Sequence, residues 1–279
     1  MRLTTKIIIG IILSVFTISL MFIIGFSFTG RKHYQRTSNV NKIDLPQDNK
    51  TNITITPSRV FVFECDKYNT EDDYSFAFIT HECGLHVTRA TTEEEENKLI
   101  IPEALSDFIS TNTQRDTLFI RIKTNELVKK YKEDKKHTFF TGVNLHLHTT
   151  NTRIINKIEG LTTEIRSIET DSITIVSHEN IQINSCKADF VEATVNYRYK
   201  LLVISDCHIQ KLHLDLDKKI DRNIAGNNNN IIETSISGSN NHEFRYDPNN
   251  FGKITWQPKN KDASLNLIIK GDTTQISFQ

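Results

Sequence analysis

Apolar and polar residues alternate through the second half of the chain, and the alternation itself recurs. Ile181-x-Ile183-x-x-Cys186 returns as Leu202-x-Ile204-x-x-Cys207, and Val191-x-Ala193-x-Val195 returns as Leu212-x-Leu214-x-Leu216, each 21 residues later. One step earlier, Ile165, Ile168, Ile173 and Ile175 fit at an offset of 18. Ile232 with Ile236, then Ile254 with Trp256, extend the series, and Leu265-x-Leu267-x-Ile269 with Ile276-x-Phe278 ends it. A period of two marks a strand with one buried face. Its return every ~20 residues marks strands stacked as successive coils. Asn227 to Asn230 and Gly238-Ser239-Asn240-Asn241 fall between strands, where Gly and Asn adopt left-handed backbone at low cost. The expected fold class is therefore all-β: a right-handed parallel β-helix, or solenoid. An antiparallel β-sandwich, which also spaces short strands closely, is the alternative.

The first half is less regular. Val60 to Phe63, Tyr74 to Phe78, Leu85 to Val87, Leu118 to Ile122 and Val143 to Leu147 read as strands. Thr91 to Lys98 and Asn125 to Lys136 read as short helices that would cap the open end of a solenoid.

A different pattern precedes all of this. From Ile7 to Thr29 no residue is charged. As a helix that run spans about 35 Å, enough for a hydrocarbon core of about 30 Å. It is longer than the apolar part of a cleaved signal, and Gly25 to Thr29 make a poor cleavage site. The expected organisation is a leader at 1–6, a transmembrane helix at 7–29, a polar tether at 30–50 and an extracytoplasmic β-domain at 51–279. Within that domain, 51–150 would be the irregular, capping part and 151–279 the regular coils. Positive charges flank the apolar run on both sides, Arg2 and Lys6 before it and Arg31, Lys32 and Arg36 after it. The very short leader favours a cytosolic amino terminus and a periplasmic or extracellular domain.

The strand Asp116-Thr117-Leu118-Phe119-Ile120-Arg121-Ile122, followed by the 20-residue β-coils, resembles a family of envelope proteins described as candidate auto-transporter adhesins with a GIN-type head domain. The likeness runs from about residue 52 to 279. The chain departs from the family in having Asp116 where Gly is usual, few glycines at coil turns, and a membrane helix in place of a lipoprotein or cleaved signal. The resemblance implies a β-helical, non-catalytic surface or periplasmic domain.

Charge narrows the partners. Lys and Arg number 34, as do Asp and Glu, so nothing suggests the basic face that nucleic acid requires. The expected partners are the membrane, through residues 7–29, and a protein or glycan. No motif suggests a cofactor. Four cysteines form two pairs about one coil apart, Cys65 with Cys83 and Cys186 with Cys207. Each pair is expected to be a ladder of buried thiols or, in an exported domain, a disulfide. His213, Asp215 and Asp217 alternate with leucines, and Glu192 stacks beside His213 in the 21-residue register. These four are the nearest approach to a cation site (Glu192, His213, Asp215) or to the carboxylate pair of a polysaccharide-acting β-helix enzyme (Asp215, Asp217), although any solvated strand face gives the same spacing. His146 and His148 share a face in the same way. Tyr197, Tyr199, Phe244 and Tyr246 are the aromatic candidates for ligand contact. The expected function is a membrane-anchored module that presents a non-catalytic solenoid surface, adhesin-like or scaffolding.

Overall fold

A computed structural model of the chain describes residues 40–66, 75–131, 137–196, 200–218, 224–270 and 275–278. The apolar run 7–29 lies outside the described residues. Among those described, no helix is long and apolar enough to cross a membrane.

The first half runs through β1 (Val40–Asp44), β2 (Lys50–Thr54), β3 (Val60–Cys65), β4 (Ser75–Phe78), β5 (Gly84–Thr88) and β6 (Lys98–Pro102). A 3-10 turn at Glu103–Phe108 leads to β7 (Ile109–Gln114), β8 (Thr117–Ile122), helix α1 (Thr124–Tyr131), β9 (His137–Thr141) and β10 (Asn144–His148). The second half runs through β11 (Arg153–Asn156), β12 (Thr162–Arg166), β13 (Glu169–Ser177), β14 (Ile181–Asn184), β15 (Lys187–Val195), β16 (Leu202–Ser205) and β17 (His208–Asp215). It ends in β18 (Ile224–Ala225), β19 (Asn230–Gly238), β20 (Asn241–Tyr246), β21 (Phe251–Pro258), β22 (Ser264–Ile269) and β23 (Gln275–Phe278).

The protein is all-β with parallel sheets. From β11 to β19 the chain passes alternately between two sheets and adds one parallel strand to each at every circuit. One sheet orders as β18-β16-β14-β12-β5-β10-β6-β2, the other as β21-β19-β17-β15-β13-β11-β3-β8-β7. Ile173, Val191, Leu212, Thr234 and Ile254 stand in one register row. Ile165, Ile183 and Ile204 stand in another. The antiparallel sandwich is thereby set aside, because its strands would pair in the opposite sense.

One detail of the repeat differs from the alternating pattern. Ile231, not Ile232, is buried; Ile232 is 45% exposed. The register rows skip Asp171, Asp189, Gln210 and Ile232, which stack at one bend of the coil. An extra residue there shifts the buried face by one position and turns the strand. A second corner is built from left-handed residues. Ser167, Ser185, Asp206 and Asn228 all have φ of 54–55°, and each is followed by a buried residue: Ile168, Cys186, Cys207 and Asn229. At this corner the Cys186 N–H donates to Cys207 Sγ (3.4 Å), the Cys207 N–H to Asn229 Oδ1 (3.2 Å) and the Asn229 N–H to Asn250 Oδ1 (3.0 Å). Side chains thus satisfy buried amides one coil away, as a turn inside a packed core requires.

The first half is ordered differently in space than in sequence. β3 lies between β8 and β11, and β5 between β10 and β12. The coil formed early is therefore flanked on one side by the coil that follows it and on the other by the start of the regular stack. Strands β1, β9 and β4 form a third, parallel face there. Val40–Asp44, expected within the polar tether, is a strand because Leu45 (1% exposed) anchors it and Asn41 Nδ2 donates to the Tyr131 carbonyl. Of the two expected helices, Thr124–Tyr131 forms, with Leu127 and Val128 buried, whereas 91–97 is a series of turns. Antiparallel β2, β6 and β7 close the edges at this end, which removes the open parallel edge that would invite strand addition.

Candidate functional site

Leu85, Val87, Leu145, Leu147, Ile165, Ile181 and Ile183 are all fully buried. The residues alternating with them on β5, β10, β12 and β14 therefore face out. Register places them in a transverse row: His146 beside His86, His86 beside Glu164, and Glu164 beside Gln182. The row crosses a groove of about 640 Å³ whose lining includes His86, Asn144, Glu164, Asn180, Gln182 and Leu201.

Most of this row is tightly organised. Glu164 accepts from His86 Nδ1 (2.8 Å), Asn184 Nδ2 (2.9 Å) and the fork of Arg166 (2.6 and 3.1 Å). Burial alone would raise its carboxyl; the hydrogen bonds from His86, Asn184 and Arg166 instead hold it below the usual carboxylate range. The other His86 nitrogen meets Asn144 Oδ1 at 3.3 Å. Asn144 Nδ2 donates to Gln47 Oε1 at 3.3 Å, and Gln47 Nε2 reaches the carbonyls of Leu45 and Gly142. The imidazole folds back over Gly84, where a Cβ would stand 2.7 Å from its Nε2. The His146 ring stacks on it at 4.8 Å, and burial, then His86, Lys50 and His148, push His146 down to about 4.

Below the row, Glu179 accepts from the Gly160 N–H at 2.9 Å and is ion-paired with Lys200. Asn180 Oδ1 accepts the Leu201 N–H at 2.9 Å. The Gln182 amide, in contrast, has no hydrogen-bond partner among the described residues and stands half-buried in the groove.

Cys83, His86 and Glu164 share this groove, but not as a nucleophile, base and orienter. The Cys83 thiol donates to the Phe140 carbonyl at 3.4 Å, and burial pushes it up. The Thr162 hydroxyl is engaged with the Thr80 carbonyl. Neither is activated as nucleophilic chemistry demands.

The residues singled out from sequence are dispersed. Tyr197 and Tyr199 lie outside the described residues. Phe244 is fully buried and packs edge-on against Phe251 with ring centroids 6.3 Å apart, so it is core and not a ligand contact. Tyr246 ends β20. Glu192 and His213 are register neighbours, but Asp215 is taken by Lys259 Nζ at 2.5 Å. Asp217 leaves the strand for the following turn, where it accepts from Lys259 (2.9 Å), His242 (3.0 Å) and the Ser239 N–H (2.8 Å). Although burial opposes it, these donors hold Asp217 well below the usual range. An ammonium thus occupies the place a cation would take, and the two carboxylates do not face each other as an acid–base pair. Among the described residues no group of three or more His, Cys, Asp or Glu side chains is arranged to hold a metal ion. All four cysteines are free thiols. Cys186 and Cys207 stack one coil apart, whereas Cys65 ends β3 in one sheet and Cys83 precedes β5 in the other. His146 and His148 share the outer face of β10, and the ring stacked on His146 is that of His86, 60 residues earlier in the chain.

No protein-family model matches the chain, and no curated protein matches it. Solved structures give distant matches. A candidate adhesin from Parabacteroides merdae matches at 11% identity and a TM-score of 0.36, over 83% of this chain and 98% of that one. A candidate lipid-binding protein from Parabacteroides distasonis matches at 12% identity and 0.23, over 83% and 98%. A candidate cell adhesion protein from Clostridium sporogenes matches at 9% and 0.22, over 80% and 99%.

Proposed function

We propose that this chain is a membrane-anchored, non-catalytic interaction module. Residues 7–29 hold it in the bilayer, and a right-handed β-solenoid carries a binding face on the extracytoplasmic side. The observation that carries this reading is the groove on the eight-stranded sheet. Its side chains are fixed by a continuous hydrogen-bond network on rigid strands, yet its lining includes the Gln182 amide, without a hydrogen-bond partner among the described residues, and an apolar side chain, Leu201 (40% exposed). Pre-organised polar groups beside exposed apolar surface are what recognition uses. The orientation of Cys83 and of Asp215 and Asp217 favours binding over catalysis.

Two measurements test it. Protease added outside sealed, right-side-out membrane vesicles that carry the full chain is expected to digest everything from residue 51 onward; protection until lysis refutes the topology. Vesicle-borne chain is also expected to retain an envelope component, with retention lost in Gln182→Trp, which plugs the groove, and kept in Lys187→Trp on the other sheet. Equal retention by both variants refutes the groove as the binding face.

A further inference from the structure

We infer that the groove takes an uncharged oligosaccharide, with Gln182 as its central hydrogen-bonding residue. The inference rests on the groove being the binding face and adds the chemistry of what occupies it.

The charges of the groove are already spent on one another. Glu164 is neutralised by Arg166 and hydrogen-bonded to His86, Glu179 is neutralised by Lys200, and Glu82 by Lys42 at 3.1 Å. Among the described residues an anionic or cationic ligand would find no unpaired counter-charge and would have to break one of these pairs. What stays open is neutral. The Gln182 amide offers two donors and an acceptor, and Asn180, whose Oδ1 is bound to the Leu201 N–H, keeps its amino group. Leu201 presents an apolar surface next to them. Neighbouring donors and acceptors with a small apolar contact match the hydroxyl-bearing edge and the C–H face of a pyranose. They do not match an apolar peptide anchor, which would demand a dry pocket. A groove of about 640 Å³ lies within the range that holds a small ligand, and its length along adjacent coils suits linked rings better than a single one.

The test uses the full chain in a detergent without a sugar headgroup. Maltotriose, cellotriose and triacetylchitotriose are titrated, with sialyllactose as the charged probe, and side-chain amide resonances and calorimetry are read. At least one neutral trisaccharide is expected to saturate with a Kd on the order of 1 mM and to shift the Gln182 amide. Gln182→Ala is expected to weaken it about tenfold and Leu201→Ala several-fold. The thermal midpoint should stay unchanged in Gln182→Ala, because that amide makes no hydrogen bond among the described residues. Saturation by none of the neutral probes, equal or tighter binding of sialyllactose, or undiminished binding by Gln182→Ala overturns the inference. A photo-crosslinker placed at position 182 in the membrane separates the two levels. Cross-links to a protein, with no sugar binding, leave the groove as the binding face and overturn the glycan; no cross-link and no sugar binding overturn both.

Discussion

Asn229 is the most informative single residue of the stack. Its Oδ1 accepts the Cys207 N–H at 3.2 Å, and its Nδ2 donates to the Ile204 carbonyl at 2.6 Å, with the residue only 8% exposed. Asn229→Ala removes both partners at once and strands a buried N–H and a buried C=O. Each stranded group costs about 1–3 kcal/mol, since folding no longer returns the hydrogen bond it had with water. The sum, allowing for partial relaxation, is about 2–4 kcal/mol. For a β-domain of this size that corresponds to a fall in Tm of roughly 5–12 °C. Asn228→Ala is the control. Asn228 is exposed at φ 55°, so its loss forfeits the comfort of Asn in left-handed backbone and one exposed hydrogen bond from its Nδ2 to Asp206 Oδ1 (3.1 Å), together about 1 kcal/mol. Coils in a stack contact only their neighbours, so the damage should also be local. Hydrogen exchange of peptides covering 204–209 should accelerate in Asn229→Ala and not in Asn228→Ala. A Tm for Asn229→Ala within 1 °C of the parent, or unchanged exchange at 204–209, would refute the claim that these side-chain rungs hold the corner together.

Three further outcomes are expected. Gly160 has φ +83°, and a Cβ there would lie 2.1 Å from the Phe78 carbonyl oxygen. Gly160→Ala should cost about 2–4 kcal/mol; a urea midpoint equal to the parent's would show that the turn shifts freely. His146 is held down to about 4, so the unfolded chain takes up its proton first. Its contribution is complete above about pH 6.5, the unfolded value, and is lost as pH falls from there towards 4, by about 1–2 kcal/mol once its partial exposure is discounted. The stability difference between parent and His146→Asn should narrow over that window, and a difference flat with pH would contradict it. Cys65 is pushed up to about 12 by burial and the charges of Asp66 and Glu64, and the Cys207 sulfur and burial push Cys186 up. Thiol reagents at pH 8 should therefore modify Cys65 and Cys186 only on unfolding; rapid labelling of either thiol in the native chain would show that its surroundings open.

The regular half of the fold was legible because each coil makes the same local demand. Ile181, Leu202 and their like must turn inward on strands of similar length, so period and register appear directly in the residues. The bend at Asp171, Asp189, Gln210 and Ile232 was harder to read, since one inserted residue leaves the alternation intact on either side while exchanging the faces. Ile232 was therefore expected inside. Phe244 was expected to meet a ligand because aromatic residues serve both cores and surfaces, and only the packing of Phe251 distinguishes the two. The groove had almost no signal. His86 and Glu164 are 78 residues apart, and each stands in an ordinary apolar-polar alternation.

Sequence alone determined the all-β class, the 18–22-residue rhythm and the uncharged run from Ile7 to Thr29, because backbone periodicity and hydrophobic length are local properties. Tertiary structure decided that β3 and β5 sit between strands that follow them in the chain. It thereby set His146, His86, Glu164 and Gln182 side by side. It also decided that Lys259 would stand between Asp215 and Asp217. Those choices depend on which strand edges meet, and the energy of a pairing is settled by cross-strand contacts that no single segment contains.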